Sequence, residues 1–501
     1  MAIVEPAYTL LKRPQNLVQE NDFYNLKEQL LVYLESHELN EKQKKAFITT
    51  FMQKLTLLWG PPGTGKTKTL SEIIKGWLEN YPGKLRILIG SNNYNVIDSL
   101  LEKSSGFNLE YEILRVRSST RESYIHNKIK DLTSSNKKEF YNEITQENKH
   151  IIVGATWLQL LKLVNENAKK KVEAQELFDL IIIDEASQVS TSTALAYFLL
   201  AKKDAHFILS GDPKQLGPIY AYDPRKLENF IFDNIFTYFQ EQFKIKEVSL
   251  NETYRSNNEI SSWPAVRFYD NDYTSVNAQQ LLSLDVGERK KPIDWLKDLF
   301  WSDILYDIIN PENPVIALVH DDTTSTLSNK IESELASAIT FLYYSLINDK
   351  NEFWTNLYGI VTPHRAQISS IRNQIACFGN KRLNHEIELG INTVDKYQGD
   401  ERDFILASYA VSDKDFISSE EDFILSARRF NVTLTRARKK FILLISKSLI
   451  EYLSDDIDIA KEGSSLQMFV SSYCSLNSHN FKMSHNNQDI NIQIKQIDKN
   501  L

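Results

Sequence analysis

An α/β fold of two parallel-sheet domains with a cleft between them follows from three observations. The apolar run Leu55–Trp59 leads into Gly60-Pro61-Pro62-Gly63-Thr64-Gly65-Lys66-Thr67, and residues 68–79 follow with Leu70, Ile73, Ile74 and Trp77 at helical spacing. A second apolar run, residues 180–183, delivers Asp184 and Glu185 at its end. Beyond residue 246 the alternation of apolar strands and helices restarts, without a second Gly-rich loop. Continuous apolar runs belong to strands covered on both faces, and their alternation with helices belongs to parallel sheets.

Length and composition set the frame. A chain of 501 residues exceeds one ordinary core. With 42% hydrophobic and 25% charged residues it reads as globular. Cys377 and Cys474 offer neither a disulfide framework nor a metal cluster, which suits a reducing cytoplasm. No signal peptide and no membrane-spanning run is present, so no membrane partner is expected. The net charge of −8 excludes a generally basic nucleic-acid coat and leaves room for a local positive channel.

In chain order, residues 1–38 are a helical lead-in, with Phe23, Leu26, Leu30 and Leu34 on the inward face of one helix. The first domain spans residues 39–245. Gln43 opens it, and its amide would read the edge of an adenine if its helix packs beside the Gly-rich loop. That loop fits G-x-x-x-x-G-K-[ST], the P-loop, in the required strand–turn–helix setting. Gly60, Pro62, Gly63, Thr64 and Gly65 shape a cradle of backbone N–H groups at a helix N-terminus. Lys66 reaches the β- and γ-phosphates, and the Thr67 hydroxyl holds Mg²⁺. Asp184 is placed to hold the same Mg²⁺ through water, and Glu185 to deprotonate the attacking water. Gln215, in the constrained turn after the strand at residues 207–209, is placed to report the γ-phosphate. Residues 103–150 read as a polar surface insertion carrying Arg115, Arg117 and Arg121, either solvated or touching nucleic acid.

The second domain spans residues 246–455 and presents Tyr254-Arg255, Thr362-Pro363-His364-Arg365, Thr393-Val394, residues 399–403 and a helix at residues 431–438 carrying Arg436. A domain that offers arginines and lacks phosphate glycines suggests that it completes the first domain's nucleotide site. Residues 456–501, rich in Asn, Ser and Asp, read as a polar tail.

Taken together, Gln43, the P-loop, residues 184–188, residues 211–218, Tyr254-Arg255, residues 362–367, residues 393–403 and residues 431–438 resemble, in order, the motifs of superfamily 1 helicases. Within these the chain looks like the Upf-type, 5′-to-3′ branch, with an AAA_11/AAA_12-like core. The resemblance covers residues 39–445. It implies two RecA-like domains with ATP between them and one strand of DNA or RNA across both. Gln43 would recognise adenine, Tyr254 would stack on it, Glu401 beside Gly399 would bind the ribose, and Gln215 would sense the γ-phosphate. Arg255 and Arg436 would be arginine fingers; a guanidinium at the γ-phosphate is worth about 10³–10⁵ in rate. Asn93, Thr156, Pro363, His364, Thr393 and Val394 would contact the strand, with His364 standing where the family often has Tyr.

Two departures stand out. Residues 91–98 alter the family's usual wording at Asn92, Asn93 and Tyr94, and only about 40 residues precede Gln43, too few for the family's small β-barrel. A compact core without nuclease or zinc modules implies a partner protein that supplies targeting or nuclease activity. The expected function is an ATP- and Mg²⁺-dependent helicase on single-stranded nucleic acid. The alternatives are a strand-binding clamp and a translocase that displaces protein without unwinding.

Overall fold

The computed structural model describes residues 11–18, 24–121, 126–146, 148–164, 176–218, 230–485 and 488–498; Phe23 and parts of the expected insertion and tail lie outside these. Two compact units are present, Met1–Asn251 and Glu252–Leu501.

The first unit is an eight-stranded sheet of β1 (Leu55–Trp59), β2 (Arg86–Gly90), β3 (Tyr111–Arg117), β4 (Ile129–Thr133), β5 (His150–Ala155), β6 (Phe178–Ile183), β7 (Ala201–Gly211) and β8 (Val248–Ser249). The order is β4-β3-β5-β2-β6-β7-β1-β8. Every pair is parallel, so all eight carboxyl ends share one edge, where open α/β sheets bind ligands. The helix Lys66–Asn80 buries Leu70, Ile73, Ile74 and Trp77, as its spacing predicts. The helix Tyr24–Leu34 likewise buries Leu30 and Leu34.

Two expectations are corrected here. Val248 and Ser249 pair with β1, so the first unit runs to residue 251 and takes the segment assigned to the second domain. Within residues 103–150, β3, β4 and the helix Lys137–Ile144 extend the sheet, so the segment is not a surface insertion. A buried arginine disguised it. Arg115 interrupts the apolar run of β3, yet it is 2% exposed, donating through Nε and Nη2 to the two Asp98 oxygens at 2.7 Å each. Such a bidentate pair satisfies a charge that burial alone would penalise.

The second unit opens with β9 (Glu252–Thr253) beside β10 (Thr274–Ser275). Its main sheet joins β11 (Val315–His320), β12 (Tyr358–Thr362), β13 (Ile391–Thr393), β14 (Arg402–Ser408), β15 (Ala437–Ser446), β16 (Leu476–His485) and β17 (Gln488–Gln496) in the order β13-β12-β14-β15-β11-β17-β16. Strands β11 to β15 pair in parallel, whereas β17 runs antiparallel to both β11 and β16. The expected polar tail is therefore a helix, Ile457–Met468, and an antiparallel hairpin, and the sheet is mixed. Composition hid a period-two pattern: in Asn491-Ile492-Gln493-Ile494 the isoleucines are buried and the polar residues alternate with them.

Candidate nucleotide and nucleic-acid sites

In the first unit the carboxyl ends of β1, β6 and β7 bring most of the expected nucleotide residues together. Gly60 N–H donates to Gly211 O at 3.1 Å, tying the start of the P-loop to the end of β7. A Cβ on Gly60 would lie 2.1 Å from Lys66 Cγ, so only glycine lets the lysine fold back over the loop. Lys66 Nζ donates to Gly60 O at 2.9 Å and lies 3.5 Å from Glu185 Oε1. Gly65 has φ +79°, a left-handed value that glycine adopts without strain. A Cβ there would also meet Gln43 Nε2 at 2.9 Å.

Gln43 sits beside the loop as expected, on the helix Glu41–Met52. Its Nε2 donates to Thr64 O at 3.1 Å, while its Oε1 accepts from Asn40 N–H at 3.1 Å. Asn40 Oδ1 accepts in return from Gln43 N–H, so the two form a capping box. The wording Asn40-Glu41-Lys42-Gln43 carries that signature.

Asp184 is 3% exposed at the end of β6 and accepts from Glu185 N–H at 2.9 Å. Burial, helped by the Glu185 charge and opposed by Lys66, pushes its carboxyl up to about 6. Glu185 has φ 54°, left-handed and costly for a residue with a side chain. Such backbone is held by its surroundings and clusters at working sites. Gln188 Nε2 donates to Glu185 Oε2 at 3.1 Å. Thr67 is half-buried on the first helical turn after Lys66.

Asp212 is the residue whose importance the sequence understated. It is fully buried at the end of β7, where Oδ1 accepts from the Trp59 indole at 2.9 Å and from Lys214 N–H at 3.0 Å. Its Oδ2 accepts from Gln215 Nε2 at 2.7 Å. Gln215 is thus held by a carboxylate that also grips the P-loop strand. The signal was present: Asp212 ends an apolar strand as Asp184 does.

In the second unit Arg255, Glu401 and Arg436 converge. Arg255 Nε donates to Glu401, and Nη1 donates to Thr435 O at 2.9 Å. Burial raises the Glu401 carboxyl, but Arg255, Arg438 and Arg436 outweigh it, and the group lies below the usual carboxylate range. Arg436 lies in the turn between the helix Ala427–Leu434 and β15, not in the helix expected over residues 431–438. It is 2% exposed, donating through Nε to Val432 O at 2.9 Å and through Nη1 to Asp400 O at 3.3 Å. Tyr254 is 42% exposed beside Arg255, and Gly399 has φ +96° next to Asp400.

The expected strand residues fall into two groups. Asn93, at the end of β2, is exposed and caps the helix Tyr94–Ser104 by accepting from Asn95 N–H at 2.9 Å. Thr156, at the end of the adjacent β5, is buried. In the second unit Thr362 pairs with Thr393, so Pro363, His364, Thr393 and Val394 gather at the ends of β12 and β13. Pro363 and Val394 line an apolar pocket with Phe423 and Arg429. His364 has protein partners there: it is 8% exposed, its ring 5.7 Å from Phe423 and its Nε2 3.3 Å from Glu420 Oε2. Burial holds its imidazole below the usual range, with Glu420 opposing. A nucleobase stacking on His364 has to displace that packing.

These features define a P-loop nucleotide-binding protein with two RecA-like units. Family models agree. The AAA_30 model, an AAA domain, matches residues 38–227, and the AAA_12 model, also an AAA domain, matches residues 232–448. The DNA polymerase alpha-associated DNA helicase A of Saccharomyces cerevisiae is 27% identical over 87% of this chain and 68% of its own length. The DNA replication ATP-dependent helicase/nuclease DNA2 of Homo sapiens is 26% identical over 81% of this chain and 37% of its own length. An uncharacterised ATP-dependent helicase of Methanocaldococcus jannaschii is 24% identical over 85% of this chain and 70% of its length. The chain has the core of a superfamily 1 helicase. That family implies nucleotide use. No helix among the described residues is long and apolar enough to cross a membrane.

Proposed function

We propose that this chain hydrolyses ATP to move along single-stranded nucleic acid in the 5′-to-3′ direction and to separate duplexes. The observation that carries the reading is the Lys66–Glu185 contact at 3.5 Å beneath the P-loop. It places a phosphate-binding cation against the candidate general base. A triphosphate seated on the loop N–H groups draws Lys66 to its β- and γ-oxygens. Glu185, still held by Gln188, is then free to take a proton from the attacking water. Asp212, which holds Gln215, would keep it in position to sense the γ-phosphate.

Mg²⁺ fits the residues present. Asp184 and Thr67 are oxygen donors of the kind that ion takes together with substrate phosphates and water. Burial disfavours the charged Asp184 carboxyl, and a divalent cation beside it would favour that form. When bound, the ion would neutralise charge developing on the phosphates.

Arg255 and Arg436 would serve the same nucleotide as arginine fingers, with Glu401 positioning Arg255 as well as meeting the ribose. Supplying that charge from a second unit makes hydrolysis depend on closure. Gln43 and Tyr254 would hold the adenine between them. Asn93, Thr156, Pro363, His364, Thr393 and Val394 would follow the strand by its backbone, giving grip without sequence reading. A partner protein would supply targeting.

The deciding experiment is ATP turnover with single-stranded DNA, with single-stranded RNA and with neither. Stimulation by one polymer identifies the track. Turnover indifferent to both would sink the motor. A partial duplex with a 5′ or a 3′ overhang then reads polarity, and grip that varies with nucleotide without duplex separation would mark a clamp.

A further inference from the structure

We propose that the carboxyl ends of β3 and β4 carry an additional contact for the sugar-phosphate backbone, with Arg121 held over the Tyr94 ring as its principal group. The inference rests on the strand-binding reading above and names a part of the track outside the motifs.

Two carboxylates and three guanidinium groups meet at this edge of the first unit. Asp98 binds Arg115 through both its oxygens. Asp131 accepts from Arg117 Nε and lies 3.4 Å from Arg115 Nη1. Both acids are thereby engaged. Arg121 makes no ion pair among the described residues; its guanidinium lies over the Tyr94 ring at 4.3 Å from the centroid. Among the described residues, Arg121 is the one guanidinium of the three that neither carboxylate engages.

That cation is also pre-positioned. Arg117 Nη1 donates to Arg121 O at 2.6 Å and to Ser118 O at 3.1 Å, fixing the turn that carries Arg121. Tyr94 is fixed at the start of its helix, its hydroxyl donating to Val116 O at 3.3 Å. A guanidinium already ordered on an aromatic face loses little freedom when it binds, and its fork matches phosphate oxygens.

Position supplies the ligand. The sheet order places β5 between β2 and β3, so the turn after β3 lies two strand spacings from the Asn92–Asn93 turn, about 10 Å. A backbone lying across the ends of β2 and β5 continues onto Arg121 before it leaves the sheet. Tyr94 thereby links the altered motif residues to this extension, and a base can stack where ring and guanidinium meet.

The test uses the full chain, without nucleotide, and fluorescein-labelled oligothymidylates of about 6 to about 20 nucleotides. Binding is read by anisotropy across a salt series, and melting temperatures are recorded. Arg121→Ala is expected to weaken the longer oligomers about tenfold and to lower the slope of affinity against salt by about 1, with an unchanged melting temperature. Arg121→Lys should recover the salt slope but only part of the affinity. Wild-type affinity and slope in Arg121→Ala would overturn the proposal. So would an equal loss at every length with a lowered melting temperature, which marks a structural role. If the wild-type chain binds no oligomer, the strand-motor reading itself falls and this contact with it.

Discussion

The two units share strand–helix alternation and parallel sheets, yet they end their strands differently. In the first, the turn after β1 is built from glycines, and Lys66 folds over it because Gly60 has no side chain. In the second, the turns after β12 and β14 hold no phosphate cradle. That unit presents Arg255 and Arg436 on carbonyls and on Glu401 instead. One architecture therefore carries a cradle of N–H groups at the strand ends of one unit and a pair of arginines at the strand ends of the other. Sheet order does not distinguish these roles. The backbone at the strand ends does.

The comparison breaks most sharply at the general base. Glu185→Gln keeps the side chain's shape, so nucleotide binding by a fluorescent analogue should stay near wild type while phosphate release is lost. Retained turnover would remove Glu185 from that role.

Next in size is Arg255→Ala, expected to lower turnover by about 10³ or more with nucleotide affinity little changed. Glu401→Gln should reproduce part of that loss by loosening Arg255, and Arg255→Lys should restore little, because a lysine cannot span Glu401 and Thr435 O together. Full turnover in Arg255→Ala would assign the charge to another group.

Gly65→Ala probes the cradle. The left-handed φ costs a side chain about 1–2 kcal/mol, and the new Cβ meets Gln43 Nε2. Titration calorimetry should show nucleotide affinity reduced about tenfold; wild-type affinity would mean that the loop relaxes freely.

The smallest effect concerns stability of the second unit. Lys440 is fully buried in β15, donating to Asn313 O at 2.7 Å and Asn310 O at 3.0 Å. Burial, against a weaker pull from Glu259, lowers its amine to about 7. The unfolded chain binds this proton at higher pH than the folded one. Stability is therefore full above about 10.5 and falls as pH drops towards 7, by at most about 1.4 kcal/mol per pH unit. Denaturant titrations at pH 8 and 9 should differ by about 1 kcal/mol, and Lys440→Met should flatten the difference.

Legibility in the sequence followed the physics of burial. β1 and β6 are apolar apart from Thr56 and Asp179 because both faces are covered, so they and the residues at their ends could be read directly. β3 could not, because Arg115 is neutralised by Asp98, a partner on a separate helix. The hairpin of β16 and β17 was hidden for the opposite reason: only one face is covered, and its polar face dominated the composition. Among site residues, Gln43, Lys66, Asp184 and Glu185 were legible as motif members. Asp212 lies inside the motif stretch 211–218, but its role was not legible, since that role is to hold Trp59 and Gln215 together.

What the sequence determined by itself is the inventory: a phosphate loop, two acids after an apolar strand, and arginines in a second α/β unit. Short-range rules suffice there, because glycine conformation and strand apolarity are local properties. The tertiary structure decided which charges are already engaged. Lys66 rests on Glu185, Arg255 on Glu401, and Arg115 and Arg117 on Asp98 and Asp131, while Arg121 stands over Tyr94. Those pairings join residues far apart in the chain, and only the packing of strands side by side brings them within reach.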